Sequence, residues 1–152
     1  MKTNIIATAL PLVYRKDNEF EVLDGLDMNR KKELWGTQLS SGIMLSLAGE
    51  VFSNWEEIKK FAEKMHFNGK PGSLPSKDHQ RLYWGVAEKE KLDATGDILE
   101  KYGIYTWRYS GRFWCSEEYD SFNAYTFELE TGWIDYAFKS KASCFRVAVA
   151  FY

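Results

Sequence analysis

Residues 113–132 read FWCSEEYDSFNAYTFELETG, and they concentrate side chains that could do chemistry. Cys115 follows Trp114 and precedes Glu117 and Glu118, the setting of a thiol nucleophile if a base stood beside it. The two histidines are His66 and His79. A Cys/His pair would need Cys115 next to one of them and a third group to orient the ring. Glu117, Glu118, Asp120, Glu128 and Glu130 offer carboxylates in pairs, as glycoside hydrolysis requires. Against that, Glu128 and Glu130 alternate with Phe127 and Leu129, the pattern of a strand with one wet face. There is no G-x-G-x-x-G, phosphate loop, G-x-S-x-G or metal-ligand spacing, so no catalytic residue, metal or cofactor is expected.

The same stretch also reads as a surface. In a strand beginning at Ala124, Phe127 and Leu129 point inward. Beyond the turn at Glu130, Thr131 and Gly132, Ile134, Tyr136 and Phe138 share one side while Trp133 and Asp135 share the other. Tyr119, Asp120, Phe122 and Asn123 fall in the preceding loop. Rigid amphipathic rings beside adaptable hydrogen-bonding groups are the composition of loop-based binding surfaces. The candidate ligand-binding residues are therefore Tyr119, Asp120, Phe122, Asn123, Trp133 and Asp135.

Positioning them falls to the rest of the chain. Ile5 to Tyr14 and Phe20 to Leu23 read as strands joined by a turn, and GIMLSLAG (42–49) reads as a short buried strand. The segment between them, DGLDMNRKKELWGTQLSSG, has no sustained period. A helix follows, with Ser53 and Glu56 spaced as a capping box and Asn54 and Glu57 offering the same one residue later. Trp55, Ile58, Phe61, Ala62 and Met65 form its buried face, and Asn68-Gly69 supplies a left-handed stop. A second helix is expected from Ser76 to about Trp84-Gly85. A third carries Leu92, Thr95, Ile98, Leu99 and Tyr102 on one side and closes at Gly103. From Ile104 onward the pattern is extended, and CFRVAVAFY is a final apolar strand expected to lie centrally and pair with the first. The order is strands, then helices, then a meander. It predicts an α+β domain over residues 1–152, with two or three helices packed on small antiparallel sheets.

Composition narrows the function classes. The 152 residues are 16% aromatic, with 20 basic against 22 acidic side chains and a net charge of -2, so no nucleic-acid partner is expected. No apolar run approaches a membrane span. MKTNIIATALPLVYRKD is broken by Thr8 and Pro11 and reads as a first strand rather than an export signal, which favours a cytoplasmic or virion-associated protein over a secreted one. Cys115 and Cys144 can pair or stay free; two cysteines do not argue for an oxidising compartment, and free thiols are favoured.

Several words of the sequence resemble one family. GSLPSKDHQRLY resembles its "RLPT/S…EL" helix start, and AEKEKLDATGDILEKYG is similar to its "K…LN…L…GG" helix. FWCSEEYDSFNAYTFELETGWI resembles its "YWSSTEY….AW…F..G.V" core, and FRVAVAF its "VR.V..F" last strand. Upstream, GIMLSLAGEVFSNWEEIKKFA is similar to its strand and Trp-containing helix, so the likeness covers roughly residues 42 to 151. The family is a bacterial and phage group on a C-type-lectin-like fold, related to the formylglycine-generating sulfatase-modifying factor. It includes variable proteins of diversity-generating retroelements.

The resemblance implies a C-type-lectin-like fold with its termini joined in a small sheet and a loop-rich C-terminal meander. It implies a non-catalytic ligand-binding or display module, a phage- or prophage-related receptor-binding or surface-recognition protein of a gut-type bacterium, with a protein or glycan ligand on a cell surface. A homo-oligomer is compatible with it, and a structural or assembly subunit of a virion or surface appendage is the alternative. Cys115 stands where the family has serine. The cysteine pair of its catalytic relatives is not matched by Cys115 and Cys144, 29 positions apart. The calcium signature of sugar-binding C-type lectins is absent, since the prolines are Pro11, Pro71 and Pro75. An enzyme using Cys115 is the reading from a different class.

Overall fold

The computed structural model describes residues 5–47, 50–52, 54–78, 86–106, 111–140 and 143–152. Strands β1 (Ile5–Lys16) and β2 (Glu19–Asp27) form an antiparallel hairpin whose tight turn holds Asp17 at φ 55. The register slips between Ala7 and Leu12, and Pro11 lies inside that irregularity, where its missing N–H breaks no ladder. The Pro11 carbonyl instead accepts from Thr37 Oγ1 at 2.8 Å. Tyr14, fully buried, donates its hydroxyl to the Gly25 carbonyl (2.9 Å) and accepts from the Asp27 amide (2.8 Å).

The segment that showed no period folds after Asp27 into a 3-10 turn, Met28–Glu33, and then β3 (Leu34–Gln38). Asp27 caps the 3-10 turn by accepting from the Asn29 amide at 3.0 Å. Strand β4 (Met44–Ser46) follows, buried throughout as its apolar run predicts. Gly36 of β3 lies against β4 so closely that a Cβ there would collide with the Leu45 carbonyl oxygen. That close approach explains a glycine in mid-strand.

Beyond the short β5 (Glu50–Phe52), helix α1 (Trp55–Lys64) starts at Asn54, whose side chain accepts from the Glu57 amide at 2.9 Å. The capping pair is therefore the later of the two offered by the sequence; Ser53 lies outside the described residues. Trp55, Ile58, Ala62 and Met65 are buried on one face. Asn68 and Gly69 do adopt left-handed backbone (φ 52 and 79), but not as the helix stop. They form the turn between β6 (His66–Phe67) and β7 (Lys70–Pro71), where two successive positive φ values suit a two-residue hairpin. The second helix expected from Ser76 falls largely outside the described residues, as do His79 and Trp84; Lys77 and Asp78 are helical.

Helix α2 (Val86–Lys101) buries Leu92, Thr95 and Leu99. It closes with Gly103 N–H on the Glu100 carbonyl and Ile104 N–H on the Leu99 carbonyl, each at 3.0 Å. With Gly103 at φ 82, this is a Schellman stop at the expected glycine. Strands β8 (Arg112–Glu118), β9 (Asn123–Glu128) and β10 (Ile134–Phe138) form the antiparallel meander. The final apolar segment splits into β11 (Ser143–Phe145), paired with β5, and β12 (Ala148–Val149), paired with β4.

The seven-stranded sheet runs β12-β4-β3-β1-β2-β6-β7. The expected pairing of the last strand with the first is therefore not present. Both edges of β1 are taken, by β2 and by β3, and the last strand joins at the free side of β4. The chain is a mixed α/β, sheet-rich fold with few helices and a curled sheet.

Two apolar clusters meet on either face of β8. Trp114 and Ala124 pack with Trp55, Ile58 and Met44, while Phe113, Cys115, Phe127 and Leu129 pack with Leu10, Ile43 and Leu92. A strand covered on both faces is held like a core element, and the meander hangs from it. Gly36→Ala is expected to lower stability by about 2–3 kcal/mol through forced backbone displacement. That corresponds to a Tm lower by roughly 4–10 °C in a thermal melt. Gly42→Ala, strained only by its φ of 91 with no atom within 4 Å, should cost about 1 kcal/mol.

Candidate functional site

The loop after β8 is built around Asp120. Its Oδ1 accepts from the Phe122 and Asn123 amides, both at 2.8 Å, and from Asn123 Nδ2 at 3.0 Å. The Tyr119 and Asp120 amides both donate to the Asn123 carbonyl, at 2.9 and 3.2 Å. These donors favour the ionised carboxyl and hold Asp120 below the usual carboxylate range, the Asn123 side chain contributing most. Asp120 and Asn123 are thus engaged with the loop itself, and what the loop presents outward is Phe122, 73% exposed, and the half-exposed ring of Tyr119.

Lys139 ties this loop to the helix. Its Nζ meets Glu118 at 3.0 Å and the Ser121 carbonyl at 3.2 Å, and lies 5.2 Å from the centre of the Trp55 ring. Its backbone joins in too: Lys139 N–H donates to Phe122, and its carbonyl accepts from Trp55 N–H. Trp55 Nε1 donates to the Cys115 carbonyl at 3.0 Å, so the first helical residue is bonded to both ends of the meander.

The remaining predicted residues stand elsewhere. Trp133 follows the turn at the opposite end of β9 and is 71% exposed. Gly132, at φ 76, closes that turn on the Glu128 carbonyl, and the Glu128 amide returns to the Trp133 carbonyl at 2.9 Å. Asp135 lies two residues on, on the same side of the strand. The span of β9 from Asn123 to Glu128 corresponds to about 17 Å. Tyr119, Asp120, Phe122 and Asn123 are therefore not brought together with Trp133 and Asp135; the candidate residues form two groups at opposite ends of one meander.

Two exposed rings joining the first group were not among the candidates, Tyr136 (49% exposed) and Phe138 (64%). Tyr119 stacks on Tyr125 with centroids 5.6 Å apart and meets Tyr136 edge-on at 4.0 Å. Alternation assigned Tyr136 and Phe138 to the side of Ile134, but it carries no information on how far the core extends beneath that side. β10 is the outermost strand of the meander, and the cover ends at Ile134.

The outer edge of β10 is blunted. The bonds Glu128–Trp133 and Lys139–Phe122 place the odd-numbered residues toward β9, so Tyr136 N–H faces outward by antiparallel alternation. Asp135 Oδ1 takes that N–H at 2.8 Å. A carboxylate capping an edge donor disfavours uncontrolled strand pairing.

Cys115 is fully buried in the apolar cluster of Phe113, Phe127 and Leu92. Burial, with the Glu117 charge second, pushes its thiol far above the ordinary value, the opposite of an activated nucleophile. His66 contacts the Lys64 carbonyl. Among the described residues, no group of three or more His, Cys, Asp or Glu could hold a metal ion. None of their helices is long and apolar enough to cross a membrane. The chain matches no family model, and no curated protein matches it.

Two outcomes follow. Asp120 has a lowered folded pKa, so the loop contact is complete above the unfolded value of about 3.9 and is lost as pH falls through the lower folded value. Phe122 and Asn123 amide NMR signals should titrate together below that value, and Asn123→Ala should move the midpoint back toward it. Second, in a Cys144→Ser background, Cys115 should react with a thiol reagent on the order of 100-fold more slowly in the native protein than in denaturant. Rapid native labelling would mean that the thiol is accessible.

Proposed function

We propose that the chain is a non-catalytic ligand-binding or display module on a C-type-lectin-like frame, phage- or prophage-related, that recognises a protein or glycan on a cell surface. The observation that carries this reading is the exposure of large rings on an anchored meander: Phe122, Trp133 and Phe138 are each more than 60% exposed. Isolated exposed rings are ordinary on protein surfaces. These sit on a unit whose inner strand is core on both faces and whose loop is tied by the hydrogen bonds of Asp120 and Lys139. Rings held in place before contact lose little entropy on binding, which is what a recognition surface requires. The family words in residues 42–151 support the same reading. The buried Cys115 thiol removes the feature on which an enzyme reading rested.

A structural or assembly subunit is the second reading, favoured by the exposed Tyr136 and Phe138 on the outermost strand. Light scattering behind size exclusion separates the two, since an assembly subunit forms large, concentration-dependent assemblies at micromolar concentration and a display module stays a monomer or a small homo-oligomer of fixed size. For recognition itself, the immobilised chain should capture a component from an array of glycans and bacterial envelope proteins. The double variant Phe122→Ala, Trp133→Ala should lose at least about tenfold in affinity, the scale of two aromatic anchors. Its Tm should stay within about 3 °C of the parent, because exposed positions contribute little to stability. Full capture by the double variant would refute a display surface on the meander.

A further inference from the structure

We infer that the recess beside Trp133 is a site for a cationic side chain, an arginine presented by a basic segment of a partner protein. The inference rests on the display reading above and names the chemistry of one of its two surfaces. Glu128, Gly132, Trp133, Ile134 and Asp135 line a concave space of about 340 Å³ at the turn end of the meander. Trp133 and Glu128 are adjacent across the hairpin, joined by the 2.9 Å backbone bond, and Asp135 follows on the same side. An indole and two carboxylate residues lining one recess are complementary to a planar cation: the ring quadrupole attracts it and the carboxylates accept its N–H groups.

Charge selects the occupant. Residues 111–140 carry Glu117, Glu118, Asp120, Glu128, Glu130 and Asp135 against Arg112 and Lys139. At the loop end the acids are engaged: Glu118 with Lys139, Asp120 with its own loop, Glu117 with the Lys77 amide. At the turn end, among the described residues, Glu128 and Glu130 make no hydrogen bond or ion pair through their carboxylates, and Asp135 uses one oxygen for Tyr136 N–H. Arg112 stands opposite Glu128 in the register but does not line the recess. Guanidinium fits better than ammonium because it is planar, stacks on the indole and offers a fork of donors to two acceptors.

The test is a titration of the ¹⁵N-labelled protein with Nα-acetyl-arginine amide, following the six tryptophan indole N–H signals. Trp133→Phe assigns the Trp133 signal. That signal alone should move, saturating in the range of tens of millimolar, and the shift should weaken as salt is raised. Glu128→Gln and Asp135→Asn should each lower the affinity about threefold. Nα-acetyl-glutamine amide should leave the signal in place. No movement with the arginine probe, or equal movement with the glutamine one, overturns the cation site. A neutral glycoside moving Trp133 where arginine does not also overturns it, while retaining the display reading. Silence with every probe overturns it and takes Trp133 out of that reading as well.

Discussion

The Arg146 guanidinium is buried where the C-terminal strands cross β4, and donates to the Ser46 carbonyl through Nε at 2.9 Å and Nη2 at 2.6 Å. Around it the backbone closes in the same place: Ser46 N–H meets the Val147 carbonyl, Val147 N–H meets Ser46 Oγ, and Arg146 N–H meets the Arg112 carbonyl of β8. Burying a cation costs several kcal/mol unless its donors are satisfied, so this residue is tolerated only in an arrangement that supplies fixed acceptors. Burial also lowers its pKa below that of a solvated arginine. The requirement joins the seven-stranded sheet to the meander at one point. It also sets the register of β12 on β4 and places β8 between the two apolar clusters.

From that junction outward the meander passes from core to surface. β8 is enclosed on both faces, β9 retains Phe127 and Thr126 fully buried, and β10 ends in rings that are mostly exposed. On the proposed display reading this gradient suits recognition: the inner strand supplies rigidity, and the outer strand and the two turns supply accessible rings. Trp55 and Lys139 reinforce it from the helix side, since one indole and one ammonium connect α1, the Cys115 carbonyl and the 119–123 loop.

Much of this was legible in the residues. The capped helix, the Gly103 stop, the hairpin at Glu130 to Gly132 and the outward position of Trp133 follow from local rules: side-chain capping, positive φ at glycine and the twofold period of a strand. Asn68-Gly69 shows the limit of such rules, because the same left-handed pair serves a helix stop or a two-residue hairpin, and the choice depends on whether a strand partner is within reach. β3 was hidden for a related reason. LWGTQ has little alternation because Trp35, Gly36 and Thr37 are buried in succession between neighbouring strands.

By itself the sequence determined which residues share a side along an element and where the chain turns. Those properties depend on neighbours within a few positions. Only the tertiary structure decided that the last strand joins β4, that Asp120 and Asn123 serve their own loop, and that the six candidate residues divide between two ends of the meander. Such outcomes depend on which sheet edges remain free and how far a core extends, and residues distant along the chain set both.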